Sequence, residues 1–317
     1  MPAMAGEGPG AVPPFVSVVV PVFNGADAIG DCLASLEAQD YPKDRREVIV
    51  VDNNSTDATA EVIRRYQVRY VFENTAQSSY AARNRGIKES RGEVIAFTDA
   101  DCRAQSDWLQ RGIAALADVR VGGAAGRIEA EPPTTLAQRY AVEKRALSQE
   151  TAMTENSFKP AAYTANAFYR KAVLEQVGLF DAAVKSGGDA DLAWRIQERL
   201  GLAIAYCPDA VVRHRHRERI RDLLRQRRNY GYGSVVNYLK HRDQMGRRTL
   251  RHAYWELRAF GRKCVRFLAS LGGCVLTLGR SRPRAQRAAI DGLDVLVFVA
   301  KKSGQLRAAL THRIWYF

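Results

Sequence analysis

An apolar run in the first third of the chain ends in two acidic residues: Glu93-Val94-Ile95-Ala96-Phe97-Thr98-Asp99-Ala100-Asp101. The apolar part is typical of a buried β-strand, and both carboxylates fall where that strand meets a loop. Because side chains alternate in direction along a strand end, Asp99 and Asp101 can serve different partners, one a nucleoside and the other a divalent cation. A solvated turn with two acids explains many such patterns, so the surrounding sequence must decide.

Two apolar runs upstream have the same form. Residues 15–24 and 47–57 each begin as a buried strand and end in polar side chains, and residues 28–36 and 58–66 carry apolar side chains at helical spacing. This alternation predicts an α/β fold with a parallel sheet and crossover helices, in which ligands bind beyond the carboxyl ends of the strands. Three residues whose polar side chains suit ligand binding fall at that edge: Asn24, Asp52 and Asp99.

Five segments of the chain form one ordered set: Pro21-Val22-Phe23-Asn24, Val51-Asp52-Asn53-Asn54-Ser55-Thr56-Asp57, Ala82-Arg83-Asn84-Arg85-Gly86, Phe97-Thr98-Asp99-Ala100-Asp101 and Gly187-Gly188-Asp189-Ala190-Asp191-Leu192-Ala193-Trp194-Arg195. In order and spacing, the set resembles the family 2 inverting glycosyltransferases of GT-A fold. The resemblance covers residues 15–216. It implies a Rossmann-like nucleotide-sugar-binding domain with a mostly parallel sheet flanked by helices. It also implies a UDP-, GDP- or dTDP-sugar donor, a divalent Mn²⁺ or Mg²⁺ ion, and direct displacement at the anomeric carbon.

The resemblance also implies a donor nucleotide site. Asp52 resembles the acid that hydrogen-bonds the nucleobase, Arg83 the basic residue of the nucleotide pocket, and Asp99 the nucleoside or ribose contact. Taken alone, Arg83 is better explained as a solvated cation on a helix surface. The expected donor contacts are Pro21, Phe23, Asn24, Asp52, Arg83 and Asp99.

A metal site is implied beside the donor. Asp101 resembles the ligand of a cation that bridges the diphosphate and neutralises the charge growing on the leaving group. Residues 206–214 resemble a strand ending in a His that completes the metal or diphosphate site in some members, which makes His214 a second candidate. The same His stands among arginines in residues 213–217, so a basic surface explains it equally well.

Asp189 is the expected general base, since it aligns with the Asp of the family's Glu-Asp pattern. This chain has Gly188 where the Glu usually stands, so the acceptor class is less transferable than the mechanism. Asp189 and Asp191 both precede an amphipathic helix, and a carboxylate in the first helical turn is the alternative explanation for either. We expect Asp191 to be structural.

The acceptor side is expected next to a later strand. Residues 161–171 resemble the strand that lines the donor sugar and acceptor, and Thr164, Ala165 and Asn166 are the candidate contacts. Small residues there would let a sugar approach the backbone closely. Alternatively, they pack under a neighbouring strand, and the sequence does not choose between the two.

The positive charge of the chain is concentrated at its C-terminal end. The 317 residues carry a net charge of +14, yet residues 213–317 carry 25 Lys and Arg against 6 Asp and Glu. We therefore expect a flexible leader at residues 1–14, the GT-A domain at 15–216 and a basic helical region at 217–317. Residues 223–233 resemble the Gln-x-x-Arg-Trp element of processive members without its Trp, so an arginine near the diphosphate is expected and processivity is not.

Two apolar runs in the basic region, residues 267–278 and 293–300, are shorter than the roughly 20 residues of a transmembrane helix. With their flanking Arg and Lys they predict interfacial helices against an anionic leaflet. A helical cap with a solvated basic face is the alternative. Since the five cysteines form no Cys-x-x-Cys pair, neither zinc nor a disulfide framework is indicated. The expected location is cytoplasmic, peripheral on the inner face of the cell membrane.

The sequence thus predicts an inverting glycosyltransferase acting on a lipid-linked or cell-envelope glycan acceptor. A catalytically silent nucleotide-sugar binder is one alternative. A basic membrane-binding or nucleic-acid-binding protein is another, although no nucleic-acid module is recognisable and no nucleic-acid partner is expected. A dinucleotide oxidoreductase is excluded, because no Gly-x-Gly-x-x-Gly follows the first strand.

Overall fold

The computed structural model describes residues 12–154, 158–276 and 281–316. Within these residues, eight strands form one sheet in the order β3-β2-β1-β4-β7-β6-β8-β5. The strands are β1 (Val16–Val22), β2 (Arg46–Asp52), β3 (Arg69–Phe72), β4 (Val94–Thr98), β5 (Cys102–Ala104), β6 (Val121–Ala130), β7 (Asn166–Arg170) and β8 (Ala203–His214).

Helices cover both faces of this sheet and continue beyond it. Those of the first two thirds of the chain are α1 (Ile29–Glu37), α2 (Thr59–Ile63), α3 (Ser79–Glu89), α4 (Trp108–Ala114), α5 (Leu136–Glu143), α6 (Gln149–Thr154), α7 (Lys171–Val177) and α8 (Gly188–Leu200). Those of the last third are α9 (Ile220–Met245), α10 (Leu250–Leu276) and α11 (Arg282–Thr311).

The first half of the sheet is the predicted parallel unit. Strand β1 pairs in parallel with β2 and β4, and β2 pairs in parallel with β3. All seven residues of β1 are buried because helices pack on both faces, as strands with continuous apolar runs require. Val18 packs with Leu33 of α1 on one face, and Val19 packs with Ile87 of α3 on the other.

The second half of the sheet is mixed. Strand β7 runs antiparallel to both β4 and β6, and β5 runs antiparallel to β8, while β6 and β8 are parallel. The predicted α/β sheet flanked by helices is confirmed, and the antiparallel pairings of β7 and β5 modify its mostly parallel character.

The three C-terminal helices pack against the sheet domain through α9 and α11. Leu223 of α9 and two residues of α11, Ile290 and Leu293, form a cluster with Ala137 and Tyr140 of α5. None of the residues of α10 is buried. Among the described residues, no helix combines the length and the apolar character needed to cross a bilayer.

Residues 1–11 of the expected leader lie outside the described residues, as do residues 277 and 278 of the first C-terminal apolar run. The next part of the leader is bound to the domain. The carbonyl of Pro13 accepts a hydrogen bond from Arg45, and that of Pro14 accepts one from the Tyr41 hydroxyl. The strand β8 ends at His214 and α9 begins at Ile220, on either side of the expected boundary at residue 216.

Candidate functional site

A cavity of about 970 Å³ lies between the carboxyl edge of the sheet and the C-terminal helices. Its lining comes from the loops after β1, β2 and β4, from α3 and the start of α8, and from α9. Most of the expected site residues line it: Pro21, Phe23, Arg83, Asp99, Asp101, Thr164, Ala165, Asp189 and His214. The carboxyl ends of parallel strands meet at one edge, which explains why residues distant in sequence converge there.

Helix α3 carries Arg83 into the cavity. The helix begins at a Ser78 cap, whose hydroxyl accepts the amide N–H of Tyr80 at 3.3 Å. The Arg83 side chain is 5% exposed, and its Nη2 donates to Asp99 Oδ1 at 2.5 Å. Among the described residues, the buried Arg83 Nε finds no acceptor. An unsatisfied buried donor is costly, so this N–H is suited to an oxygen of a ligand.

Asp101 and His214 meet where β5 pairs with the end of β8, because Asp101 directly precedes Cys102, the register partner of His214. His214 Nε2 lies 3.5 Å from Asp101 Oδ1, and Arg217 lies 3.7 Å from Asp101 Oδ2. The Cys102 thiol is also within reach of this pair. Burial and the nearby Asp101 and Asp99 raise the pKa of Cys102 well above its usual range, so the thiol keeps its proton.

The electrostatics around this pair favour an oxygen and nitrogen donor set. Burial lowers the pKa of the neighbouring His216 to about 4, assisted by His214 and Arg227, so His216 adds no positive charge at neutral pH. Among the described residues, the buried Nδ1 of His214 finds no partner. A carboxylate suits Mn²⁺ or Mg²⁺, an imidazole nitrogen is a common metal ligand, and a thiol is a soft donor that these hard cations disfavour.

Asp189 stands in the first turn of α8, which begins after Gly187 in a left-handed conformation with φ of 84°. Its Oδ1 accepts hydrogen bonds from the Tyr80 hydroxyl and from the Ala190 amide, both at 3.2 Å. Burial raises the pKa of Asp189 above its usual range, although Arg83 and these hydrogen bonds act in the opposite direction. A carboxylate with a raised pKa inside a cavity suits proton transfer.

Asp191 has a different environment two residues later. It is 1% exposed and contacts Arg195 at 3.0 Å, His241 at 3.2 Å and Lys240 at 3.3 Å. Burial alone would raise the pKa of this carboxyl, but these partners outweigh it and lower the pKa to about 2. The structure therefore places Asp191 in a buried ion-pair cluster that joins α8 to α9.

Asn24 and Asp52, two of the expected donor contacts, are not among the residues that line the cavity. Asp52 is 2% exposed, and its carboxylate accepts hydrogen bonds from the Ser55 amide and the Tyr70 hydroxyl, both at 2.9 Å. Asn24 Oδ1 accepts the Thr56 amide at 2.8 Å. Both side chains thus shape the loops after β1 and β2.

Asn166 is the expected acceptor-side residue that the structure does not bring to the cavity. Its fully buried amide donates to the carbonyls of Arg127 and Ala210 and accepts the indole N–H of Trp108. These carbonyls flank the register shift between β6 and β8. Asn166 therefore hydrogen-bonds to backbone groups that the irregular pairing leaves without partners. This is a packing role, the alternative to an acceptor contact in this segment.

Sequence reasoning missed Tyr80 and most of the lining contributed by α9. Tyr80 lies three residues before Arg83, but no spacing pattern connects it to Asp189. The resemblance of residues 223–233 to a diphosphate-binding element was the available signal for α9. The additional polar lining residues there include Arg225, Gln226, Arg227 and Tyr230.

Comparison with known proteins gives the same architecture. The family described as Glycosyl transferase family 2 matches residues 17–178, more than half of the chain. The chain belongs to glycosyl transferase family 2. Glycosyltransferase AglE of Haloferax volcanii is 35% identical over 81% of this glycosyltransferase and 84% of that protein. The pre-mycofactocin glycosyltransferase of Mycobacterium tuberculosis is 29% identical over 95% of this chain, which spans 65% of that longer protein.

Solved structures share the fold of this glycosyltransferase. The mannosyltransferase PcManGT from Pyrobaculum calidifontis, in complex with GDP-Man and Mn²⁺, aligns with a TM-score of 0.63 over 92% of this chain and 87% of that one, at 23% identity. Glucosyl-3-phosphoglycerate synthase from Mycobacterium tuberculosis aligns with a TM-score of 0.53 over 71% of this chain and 79% of that one, at 19% identity. Both likenesses concern the GT-A fold.

Proposed function

We propose that this glycosyltransferase is an inverting enzyme in which Asp189 is the general base. The Asp189 carboxylate takes the proton of an acceptor hydroxyl, whose oxygen attacks the anomeric carbon of the donor sugar. The bond from that carbon to the diphosphate oxygen breaks, and its electron pair leaves with the nucleoside diphosphate. A single displacement inverts the anomeric configuration. The proposal rests on one observation: a carboxylate with a raised pKa shares a cavity with Arg83, Asp99 and Asp101.

The proposed donor is a UDP-, GDP- or dTDP-sugar. Pro21, Phe23 and Asp99 are the proposed nucleoside contacts because they line the cavity beside the ends of β1 and β4. Arg83, with its unsatisfied Nε, is the proposed cation for a phosphate or ribose oxygen. Asn24 and Asp52 are proposed to hold the loops after β1 and β2, through their hydrogen bonds to the Thr56 and Ser55 amides.

The proposed cofactor is Mn²⁺ or Mg²⁺, held by Asp101 and His214. The fit rests on the 3.5 Å approach of these two side chains and on the buried His214 Nδ1, which has no partner among the described residues and is available for a further contact. When bound, such an ion neutralises the negative charge that develops on the leaving diphosphate. Arg217 and Arg227 line the same side and add positive charge.

The proposed acceptor is a lipid-linked or cell-envelope glycan, reached at the inner face of an anionic membrane. Thr164 and Ala165 line the acceptor side of the cavity. Helix α10 supports the membrane contact, because it exposes an apolar stripe between basic side chains instead of burying it. Leu257, Val265 and Leu268 of this stripe are 70%, 68% and 63% exposed.

Two measurements test the proposal. Thermal stabilisation by UDP-, GDP- and dTDP-sugars, each with and without Mn²⁺, is expected for one nucleotide and only with metal. The variant D189N should then lose transfer while keeping that stabilisation, and D209N, at an exposed acid on β8, should keep both. Turnover unchanged in D189N would remove the base assignment. Donor binding without turnover in the unmodified protein, against a panel of glycan acceptors, would favour the silent binder.

A further inference from the structure

The absence of a side chain at Gly188 is explained by the ring of Tyr80. A Cβ atom at Gly188 would lie 2.9 Å from Cε2 and from Cζ of Tyr80, which is closer than two non-bonded carbon atoms approach each other. The ring cannot easily move away. It stacks on Phe180 with centroids 5.5 Å apart, and the Arg83 guanidinium lies 5.6 Å from its centroid. Tyr80 therefore fills the space beside Asp189 where the family pattern has a Glu.

The Tyr80 hydroxyl connects both residues of the 188–189 pair. It accepts the Gly188 amide N–H at 2.9 Å and donates to Asp189 Oδ1 at 3.2 Å. Burial, together with the nearby Asp189, raises the pKa of Tyr80 well above its usual range, so the hydroxyl keeps its proton. Accepting the Gly188 amide uses a lone pair of the hydroxyl, so its single proton is available for the Asp189 carboxylate.

We propose that Tyr80 is a positioning residue for the Asp189 base. It fixes the carboxylate through Oδ1, which leaves Oδ2 to receive the proton of the acceptor hydroxyl. This inference rests on the proposed function of Asp189. It gives the carboxylate an orienting partner from α3, at a point where the chain has lost the adjacent carboxylate of the family pattern.

Several charged or titratable groups face Asp189 and set its proton affinity. They are Arg83 and Tyr80 of α3, Tyr163 and Tyr169 beside and within β7, and Tyr230 of α9. A hydrogen bond to the ionised carboxylate favours that form. Removing the Tyr80 hydroxyl therefore raises the pKa of Asp189 further, and the acid side of the kcat profile should move to higher pH.

The test is Y80F, measured as kcat and donor KM across the pH range with the donor and metal identified by thermal stabilisation. We expect kcat to fall about tenfold, as for the loss of a hydrogen bond to a charged group, with the acid limb shifted upward and donor KM little changed. The matched control is Y41F. It removes the hydroxyl of a buried tyrosine that donates to the Pro14 carbonyl and is not among the residues lining the cavity, and its pH profile should match that of the unmodified enzyme.

A second variant approaches the contact from the other side. G188A keeps the Tyr80 hydroxyl but forces the ring away from Asp189, so kcat and the acid limb should change in the same direction as in Y80F. Donor-induced thermal stabilisation shows whether each variant is folded. If Y80F does not fold, G188A still tests whether Tyr80 positions Asp189. Wild-type pH profiles in the folded variants would overturn the role of Tyr80. If D189N also kept its turnover, the proposed base itself would be wrong.

Discussion

Helices α9 and α10 have nearly the same length and both are rich in basic residues, yet they relate to the protein in opposite ways. Helix α9 lines the cavity and buries six residues, whereas α10 buries none. The buried positions of α9 include two glycines at close contacts, and α10 turns its apolar stripe outward. The net charge of a basic helix therefore does not predict whether the helix packs into the protein or stays exposed. That outcome depends on how well the helix surface fits a neighbouring element.

Helix α9 holds the loop that leads to Asp189. A Cβ atom at Gly233 would lie 2.3 Å from the carbonyl oxygen of Ser186, and Asn237 Nδ2 donates to the Gly187 carbonyl at 2.9 Å. The backbone just before α8, which carries Asp189, thus packs directly on α9. The C-terminal region is part of the site architecture, and disturbing α9 should affect both folding and the site.

The largest effect is expected where α9 crosses α11. A Cβ atom at Gly304 would lie 1.9 Å from the carbonyl oxygen of Arg228, and backbone cannot yield as a side chain does. G304A should lower the free energy of unfolding by about 3 kcal/mol or more in urea titrations. The control is G261A in α10, where nothing lies within 4 Å of the added atom and helix propensity predicts a small gain. Equal losses in both variants would remove the contrast between the helices.

A smaller effect is expected from the ion-pair cluster between α8 and α9. Because the folded state lowers the pKa of Asp191 to about 2, its ionised form stabilises folding above the ordinary pKa, and that contribution disappears as the pH falls toward 2. D191N should therefore cost about 2 kcal/mol near neutral pH and progressively less in acid.

Unfolding free energies at several pH values measure this difference. D243N is the control, since the Asp243 side chain on α9 is fully exposed. A cost for D191N that stays constant down to pH 2 would mean that the ionised carboxylate is not the source of the stabilisation.

A third effect concerns ligand binding and leaves the fold intact. Arg227 of α9 lines the cavity, and among the described residues its buried Nε finds no acceptor. If it contacts the diphosphate, R227A should weaken donor binding about tenfold in calorimetric titration. R251A removes an exposed cation from α10 and should leave donor affinity unchanged. Equal weakening in both would indicate that only the overall charge matters.

The sequence predicts best the site residues that directly follow the end of a strand. Asp99 and Asp101 lie in the cavity because β4 delivers its carboxyl end to the same edge as its parallel neighbour β1, and short-range patterns locate that end. Arg83 reaches the same cavity from within helix α3. Asn166 shows the limit of this reasoning. Its segment was located, but whether its amide meets a ligand or the backbone depends on the register shift between β6 and β8, which no local pattern encodes.

Contacts between distant segments could not be predicted from the sequence for the same reason. Tyr80 contacts Gly188 and Asp189 only when α3 and α8 are packed together in the folded protein. The glycines of α9 are required only because α11 and residues 185–189 pack closely against them. The sequence revealed that residue 188 departs from the family pattern. The ring that makes a glycine necessary there could be identified only in three dimensions.

The smallest effect on folding is expected from α10, although its effect on location should be large. Replacing Leu257, Val265 and Leu268 together by Ser changes side chains that are 63% to 70% exposed, so the free energy of unfolding should change by about 0.5 kcal/mol per site or less. Binding to vesicles that contain anionic lipid should fall sharply, because the apolar stripe supplies the buried area of an interfacial helix. Sedimentation with vesicles measures this directly.

The basic residues beside the stripe provide the complementary variant. R258E with R262E keeps the apolar stripe but reverses two exposed charges, and each cation near an anionic surface contributes about 1 kcal/mol. This variant should lose its preference for anionic over neutral vesicles, while the serine variant should lose binding to both. Donor binding should be unchanged in either, since α10 does not line the cavity. If both variants sediment with vesicles as the unmodified protein does, α10 does not supply the membrane contact, and the alternative of a helical cap with a solvated basic face is favoured.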